Sequence, residues 1–219
     1  MLLNDSCKVG IVDYGLGNIF SIQQAFQKLG VTASVVRDPK HLRDLDGLIL
    51  PGVGAFGKAI EDLKSLELLE SLQQYAQSGK PMFGICLGLQ LIMSLSYEFG
   101  THQGLDLIKG TVERFPSSWE NQPLRVPNVG WNPLIMNSLP SQENSPLRGL
   151  MQQDEFYFVH SYYAIPEDET QIVAYARYNG FRYPAALQKK NVFATQFHPE
   201  KSGEQGLQIF SNWIDSIGR

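Results

Sequence analysis

The stretch Gly84-Ile85-Cys86-Leu87-Gly88 constrains what this chain can fold into more than any other. An apolar run, Pro81-Met82-Phe83, leads into it, and a second, Leu89-Gln90-Leu91-Ile92-Met93, leaves it. The pattern predicts a strand, a very tight turn and a helix with a cysteine at the apex. That is a nucleophile elbow, carrying sulfur where the G-x-S-x-G form carries a hydroxyl. Flanking glycines let the backbone turn sharply and leave the thiol at the helix N-terminus, where amide N–H groups and the helix dipole favour negative charge on sulfur. A buried structural cysteine is the competing reading of these five residues, since free cysteine is among the most buried residue types.

The first hundred residues repeat the strand–helix unit. Val9-Gly10-Ile11-Val12 reads as a short buried strand. A helix follows from Asn18, its expected N-cap, with Ile19, Ile22, Phe26 and Leu29 on one face and Gly30 as its stop. Val35-Val36 and Leu48-Ile49-Leu50 make two more strands, and one long helix is predicted to carry Ile60, Leu63, Leu68, Leu69, Leu72 and Tyr75. Gly79-Lys80-Pro81 breaks it and leads to the elbow. Such repeats imply an α/β fold, a parallel sheet covered by helices on both faces, with ligands bound at the carboxyl ends of its strands.

After about residue 105 the pattern changes. Thr111–Phe115, Phe156–Tyr163, Ile172–Tyr178, Ala185–Gln188 and Val192–Phe197 read as strands with little helix between them, and Asn179-Gly180 carries hairpin chemistry. The economical reading is a mixed, mostly parallel central sheet with an antiparallel C-terminal extension. Leu207, Phe210, Trp213 and Ile214 are spaced for one face of a closing helix over Gly206–Ile217, and residues 116–127 and 137–154 are polar loops.

Val192–Phe197 delivers His198-Pro199-Glu200 at its end. A nucleophile needs a base and the base an orienting acid, and a His and a Glu on one short turn can supply both. His41 and His102 lie among polar loop residues and read as solvated. His160 ends the strand Phe156–Val159 and reads as structural or substrate-lining rather than as the base. Gly15-Leu16-Gly17 with Asp38 hints at a dinucleotide fingerprint, but the third glycine is missing because position 20 is Phe. A thiol protease or other thiol hydrolase is a stronger rival, because a triad alone does not name the acyl group.

Bulk composition narrows the classes further. The chain's 219 residues, 43% hydrophobic, suit one domain over 1–219 and are short for two. Two cysteines, at positions 7 and 86, make no disulfide framework, which fits a reducing cytoplasm. Met1-Leu2-Leu3-Asn4-Asp5 lacks the regions of a signal peptide, and no apolar run is long enough to cross a bilayer. A net charge of −4 without a basic cluster argues against a nucleic-acid partner.

Cysteine at an elbow followed by His-Pro-Glu at a late strand end resembles the class I glutamine amidotransferases. Asp13-Tyr14-Gly15-Leu16-Gly17-Asn18, Pro51-Gly52-Val53-Gly54, Gly130-Trp131-Asn132, Phe158-Val159-His160-Ser161-Tyr162 and Gln196-Phe197-His198-Pro199-Glu200-Lys201-Ser202 are similar to the glutaminase subunits of imidazole glycerol phosphate synthases within that family. The resemblance implies Cys86 as nucleophile, His198 as base and Glu200 as its orienter. Elbow geometry makes the Leu87 N–H one oxyanion donor, and the resemblance adds Gly52 and Val53, where the residues alone favour an ordinary strand-to-helix turn. Gln90 and Glu98 match positions that hold the amino-acid end of glutamine, with His160, Ser161 and Tyr162 on the opposite wall. Asn18, Asn128, Trp131, Tyr157 and Lys201 match positions facing a partner, a synthase subunit with a (β/α)₈ barrel. That partner would use ammonia to make imidazole glycerol phosphate and an aminoimidazole carboxamide ribotide for histidine. No cofactor and no metal are implied. The chain departs from the family at Pro127-Asn128-Val129-Gly130-Trp131-Asn132, where His-Met is usual at 128–129. A paralogous glutaminase feeding another amidotransferase, such as one modifying a surface sugar, therefore stays open.

Overall fold

A computed structural model describes residues 7–137 and 145–217. The first residues, and 138–144 of the predicted 137–154 loop, lie outside them. In chain order the elements are β1 (Val9–Val12), α1 (Ile19–Lys28), β2 (Ala33–Val36), β3 (Gly47–Leu50), α2 (Phe56–Ser65), α3 (Leu68–Gln77), β4 (Met82–Ile85), α4 (Leu87–Leu91), β5 (Met93–Ser96), β6 (His102–Gln103) and β7 (Ile108–Arg114). There follow β8 (Ser118–Trp119), β9 (Gln122–Pro123), β10 (Asn128–Met136), β11 (Glu155–His160), β12 (Tyr162–Pro166), β13 (Ile172–Tyr178), β14 (Phe181–Lys189), β15 (Val192–Thr195) and α5 (Gly203–Ile214).

Nine strands form the main sheet in the order β11-β10-β13-β14-β15-β4-β3-β1-β2. From β15 to β2 they run parallel, and from β14 to β11 antiparallel. The short parallel strands are apolar throughout because both faces are covered. In β3, Leu48 and Leu50 join the core under α2 and α3, while Ile49 points to the core under α1 and α5, the two-residue period of a pleated strand. On the second side Phe83 lies 4.9 Å from Phe193 and 5.8 Å from Trp213, ring centre to ring centre. Among the described residues no helix is long and apolar enough to cross a membrane.

Several expectations change. The long helix is two, α2 and α3, broken where Glu67 takes φ 57°. Leu63 and Leu68 are five positions apart, out of helical phase, and the left-handed residue turns Leu68 and Leu72 back onto the core. Phe156–Tyr163 is also two strands. β11 belongs to the main sheet, but after Ser161 the chain crosses to a second sheet, β12-β7-β5-β6. Thr111–Phe115 lies in that sheet rather than in the extension. The helix after the elbow stops at Leu91, and Met93 starts β5. Asn128–Met136, unread in the sequence, is a strand between β11 and β13, and 116–127 holds the small β8–β9 hairpin. The closing helix begins at Gly203, ahead of Gly206, and ends at Ile214. His102 is part-buried against Phe56, ring centres 6.3 Å apart, and is not a freely solvated loop residue.

Candidate active site

The carboxyl ends of β3, β4 and β15 converge on one point. Cys86, directly after β4, takes φ 55° and ψ −105°, a conformation L residues rarely adopt. Its N–H donates to the Thr195 carbonyl of β15 at 2.8 Å, tying the elbow to the strand that delivers His198. A Cβ on Gly88 would stand 1.9 Å from the Leu50 carbonyl oxygen, so α4 can rest on the end of β3 only with glycine there.

His198 Nδ1 donates to Glu200 Oε1 at 2.7 Å, with both side chains almost fully buried. Asn18 Nδ2 donates to the same carboxylate oxygen at 3.3 Å. Ser202 Oγ donates to the His198 carbonyl at 2.7 Å and accepts from the Tyr157 N–H at 3.0 Å, which pins the turn to β11. With Nδ1 committed to Glu200, the buried Nε2 is the ring atom left to meet Cys86. Burial lowers the affinity of this imidazole for a proton, but Cys86 beside it and Glu200 behind it outweigh burial and hold its pKa up at about 10.

The Pro51-Gly52-Val53-Gly54 turn closes over the elbow. Leu87 N–H, an expected oxyanion donor, donates to the Gly52 carbonyl at 3.3 Å, so in this geometry that peptide turns its oxygen toward the elbow. Tyr14 Oη donates to the Pro51 carbonyl at 2.8 Å. A Cβ on Gly52 would meet Tyr14 Oη at 2.3 Å and Leu87 Cβ at 2.8 Å. Gly54 takes φ 96°, which gives the end of the turn freedom to rotate.

A cavity of about 250 Å³ opens beside the sulfur, lined by Val53, Gly54, Cys86, Leu87, Gln90, Glu98, Pro127, Val159, His160, Ser161, Tyr162 and His198. Gln90 Nε2 donates to the Tyr162 carbonyl at 3.0 Å and to Gln196 Oε1 at 3.2 Å, leaving its carbonyl oxygen as what it offers the cavity. Glu98 accepts from the Phe56 N–H at 2.6 Å, so one carboxylate oxygen caps α2 and the other remains. An amide oxygen and a carboxylate on one wall suit an ammonium group. The same Tyr162 carbonyl accepts from His160 Nδ1 at 2.8 Å, so His160 sits beside Gln90 rather than across from it, and its Nε2 accepts from Asn128 Nδ2 at 3.3 Å. Burial drives its pKa down to about 4, so it is neutral with both nitrogens committed. A larger open groove of about 730 Å³, around Lys40, Arg43, Lys64 and Lys80, holds none of these residues.

The family profile of class-I glutamine amidotransferase matches residues 10–216. The chain belongs to this family. It is 45% identical over 208 residues to the imidazole glycerol phosphate synthase subunit HisH of Syntrophotalea carbinolica, covering 94% of this chain and 98% of that one. It is 44% identical over 209 residues to the same subunit of Prochlorococcus marinus, covering 95% and 96%. A solved glutamine amidotransferase structure superposes with a TM-score of 0.72 at 19% identity, over 96% of this chain and all of the other, which speaks to the fold alone.

Of the partner-facing positions expected for this amidotransferase, Trp131, Tyr157 and Lys201 cluster at the surface. Trp131 is half exposed with its ring 6.0 Å from that of Tyr157, and Lys201 Nζ stands 5.6 Å above Tyr157. Asn128 and Asn18 are different. Asn128 is buried and donates to Tyr183 Oη at 3.0 Å, so its side chain is not presented outward, whereas Asn18 is part-buried with its amide turned to Glu200. The sequence reading also misses Tyr14 behind the turn and Gln196, whose Nε2 donates to Cys86 Sγ at 3.8 Å. Both lie inside runs that carry the resemblance, the only signal that could have singled them out. Asp38 of the dinucleotide-like pattern accepts from Lys40 N–H at 2.9 Å, capping a short 3₁₀ helix.

Proposed function

We propose that this chain, as one domain, is the glutaminase subunit of an imidazole glycerol phosphate synthase in histidine biosynthesis, acting with a partner synthase subunit. The reading is supported by one observation above the rest: a buried Glu200–His198 pair that leaves only Nε2 of the ring to face a strained cysteine. With the Cys86 proton held on His198, sulfur attacks the side-chain amide carbon of glutamine, and His198 then gives that proton to the departing nitrogen, which leaves as ammonia. In the second half it deprotonates the water that cleaves the glutamyl thioester. Glu200 fixes the ring's orientation and stabilises its cationic form. The Gly52 carbonyl facing Leu87 supports a latent resting state, in which the Gly52–Val53 peptide must rotate to turn two N–H groups toward the oxyanion.

Ammonia passes to the partner, which has a (β/α)₈ barrel in this reading and consumes it in making imidazole glycerol phosphate and an aminoimidazole carboxamide ribotide. A dry interface keeps ammonia from being protonated to a non-nucleophile on the way. The reaction runs in the cytoplasm and uses no cofactor or metal of the subunit's own. The test is Cys86→Ala in the complex purified with its native partner. Glutamine-driven product formation should fall by at least about 10³-fold, while product formation from added ammonium salt persists. Loss of both would make Cys86 a structural residue, and a different acceptor substrate for the purified partner would sink the histidine assignment.

A further inference from the structure

Gln196 is fully buried in contact with both Gln90 and the nucleophile, and the mechanism above gives it no task. Its orientation follows from the backbone outward. The Tyr162 carbonyl can only accept, so the end of Gln90 that meets it at 3.0 Å is Nε2. The same Nε2 lies 3.2 Å from Gln196, which must present Oε1 there and turn its own Nε2 the other way. On that side is Cys86 Sγ, at 3.8 Å. Rotation of the backbone beneath is blocked, because Gln196 N–H donates to the Ala185 carbonyl of β14 at 2.8 Å. The Val159 carbonyl lies 4.0 Å from the same sulfur, and the His198 ring stands beside it. The Gln196 amide is therefore a donor aimed at the sulfur, set to meet the charge it bears once its proton is on His198.

We propose that Gln196 is a catalytic residue of the glutaminase reaction: its Nε2–H stabilises the ionised sulfur of Cys86, while its Oε1 holds Gln90 with the carbonyl oxygen toward the substrate's ammonium group. The proposal rests on the glutaminase reading for its second half only. No proton leaves Gln196. With the proton on His198 Nε2 the sulfur is an anion and the amide hydrogen bond to it is at its strongest; on attack the sulfur electron pair forms the C–S bond while the carbonyl π pair moves onto the glutamine oxygen. A buried amide is costly unless its hydrogen bonds are made, so a side chain there for packing alone would be apolar.

Two near-isosteric variants separate the tasks. Gln196→Glu still accepts from Gln90 but puts a carboxylate oxygen where the donor was. Gln196→Met has neither group. Alkylation of Cys86 by iodoacetamide in the full chain, followed on the Cys86 peptide by mass spectrometry, reads the ionised sulfur directly. Gln196→Glu should slow alkylation at pH 7 by roughly tenfold, with the loss largely recovered at pH 10. In the complex with the native partner it should lower kcat for glutamine about 10–100-fold and leave KM within about twofold. Gln196→Met should slow alkylation less and raise KM roughly tenfold. Wild-type alkylation rates at pH 7 in both variants would overturn the sulfur task, as would a loss that persists at pH 10 alongside a lowered thermal midpoint. An unchanged KM in Gln196→Met would overturn the Gln90 task. If the wild-type complex releases no glutamate from glutamine, the glutaminase reading fails, and the alkylation arm still decides the sulfur task.

Discussion

Two histidines line one cavity, and their surroundings push them to opposite protonation states. His198 gains a carboxylate behind it and sulfur beside it, whereas His160 gains a carbonyl, an amide and aromatic neighbours, with ring centres of Phe115 and Tyr183 at 5.1 and 5.2 Å. Divergence of this kind is how roles separate between similar groups in one site. It also makes a stability prediction for His160. Its pKa falls from 6.5 to about 4 on folding, through burial first. Between those values the unfolded chain binds a proton that the folded chain refuses, so stability is fully present above 6.5 and drains as pH falls toward 4. Each unit of difference is worth about 1.4 kcal/mol. His160→Gln should therefore be less stable than wild type at pH 7.5 yet lose less on acidification, so the two curves of unfolding free energy approach each other near pH 4. Parallel curves would mean that His160 is not held neutral.

At the scale of elements, the elbow and the His-Pro-Glu turn were legible because their geometry is local, glycines and a helix start within five residues of chain. Other elements were not. The Leu63-to-Leu68 step looks like a continuing amphipathic helix until the core behind it is known, and Asn128–Met136, with Gly130 and Pro133 inside it, lacks strand propensity and is a strand because β11 and β13 pair with it. The Asn18–Glu200 and Gln196–Cys86 contacts join residues 182 and 110 positions apart, beyond any local pattern. The turn at Gly52 is where element geometry makes its firmest prediction. A methyl group there would collide with Tyr14 Oη at 2.3 Å, forcing the turn away from the elbow. Gly52→Ala should cost at least about 100-fold in glutamine-driven turnover, the loss of one oxyanion donor, while ammonium-driven synthesis by the complex is retained. Adding Tyr14→Phe removes the nearest colliding atom and should recover part of the rate. Full glutaminase activity in the single variant would show that the turn supplies no donor.

Across the whole molecule, the antiparallel extension does what the parallel half cannot: it carries a surface to the back of the active site. Trp131 and Tyr157 face each other in register across β10 and β11, and the Tyr157 carbonyl accepts from the His198 N–H at 2.9 Å. The exposed aromatic patch is thus one backbone hydrogen bond from the base, and Lys201 above Tyr157 belongs to the same turn as Glu200. A partner seated there can bias the site without touching glutamine. The resting turn, with Leu87 N–H held by Gly52, should leave the isolated chain nearly silent, since a missing oxyanion donor is worth about 10²–10³ in rate. To release it, the partner must bind the rotated state better by about 3–4 kcal/mol, all of it differential contact between the two states. A half-exposed tryptophan in the patch is the residue type that carries such energy. Trp131→Ala should therefore cut the stimulation of glutamate release by partner and acceptor at least roughly tenfold, and leave the slow rate of the chain alone within about twofold. Glutamate release measured for the chain alone, with partner, and with partner plus acceptor decides it. If the chain alone already matches the loaded complex, the turn is not a latch, and nothing in the patch is needed to open it.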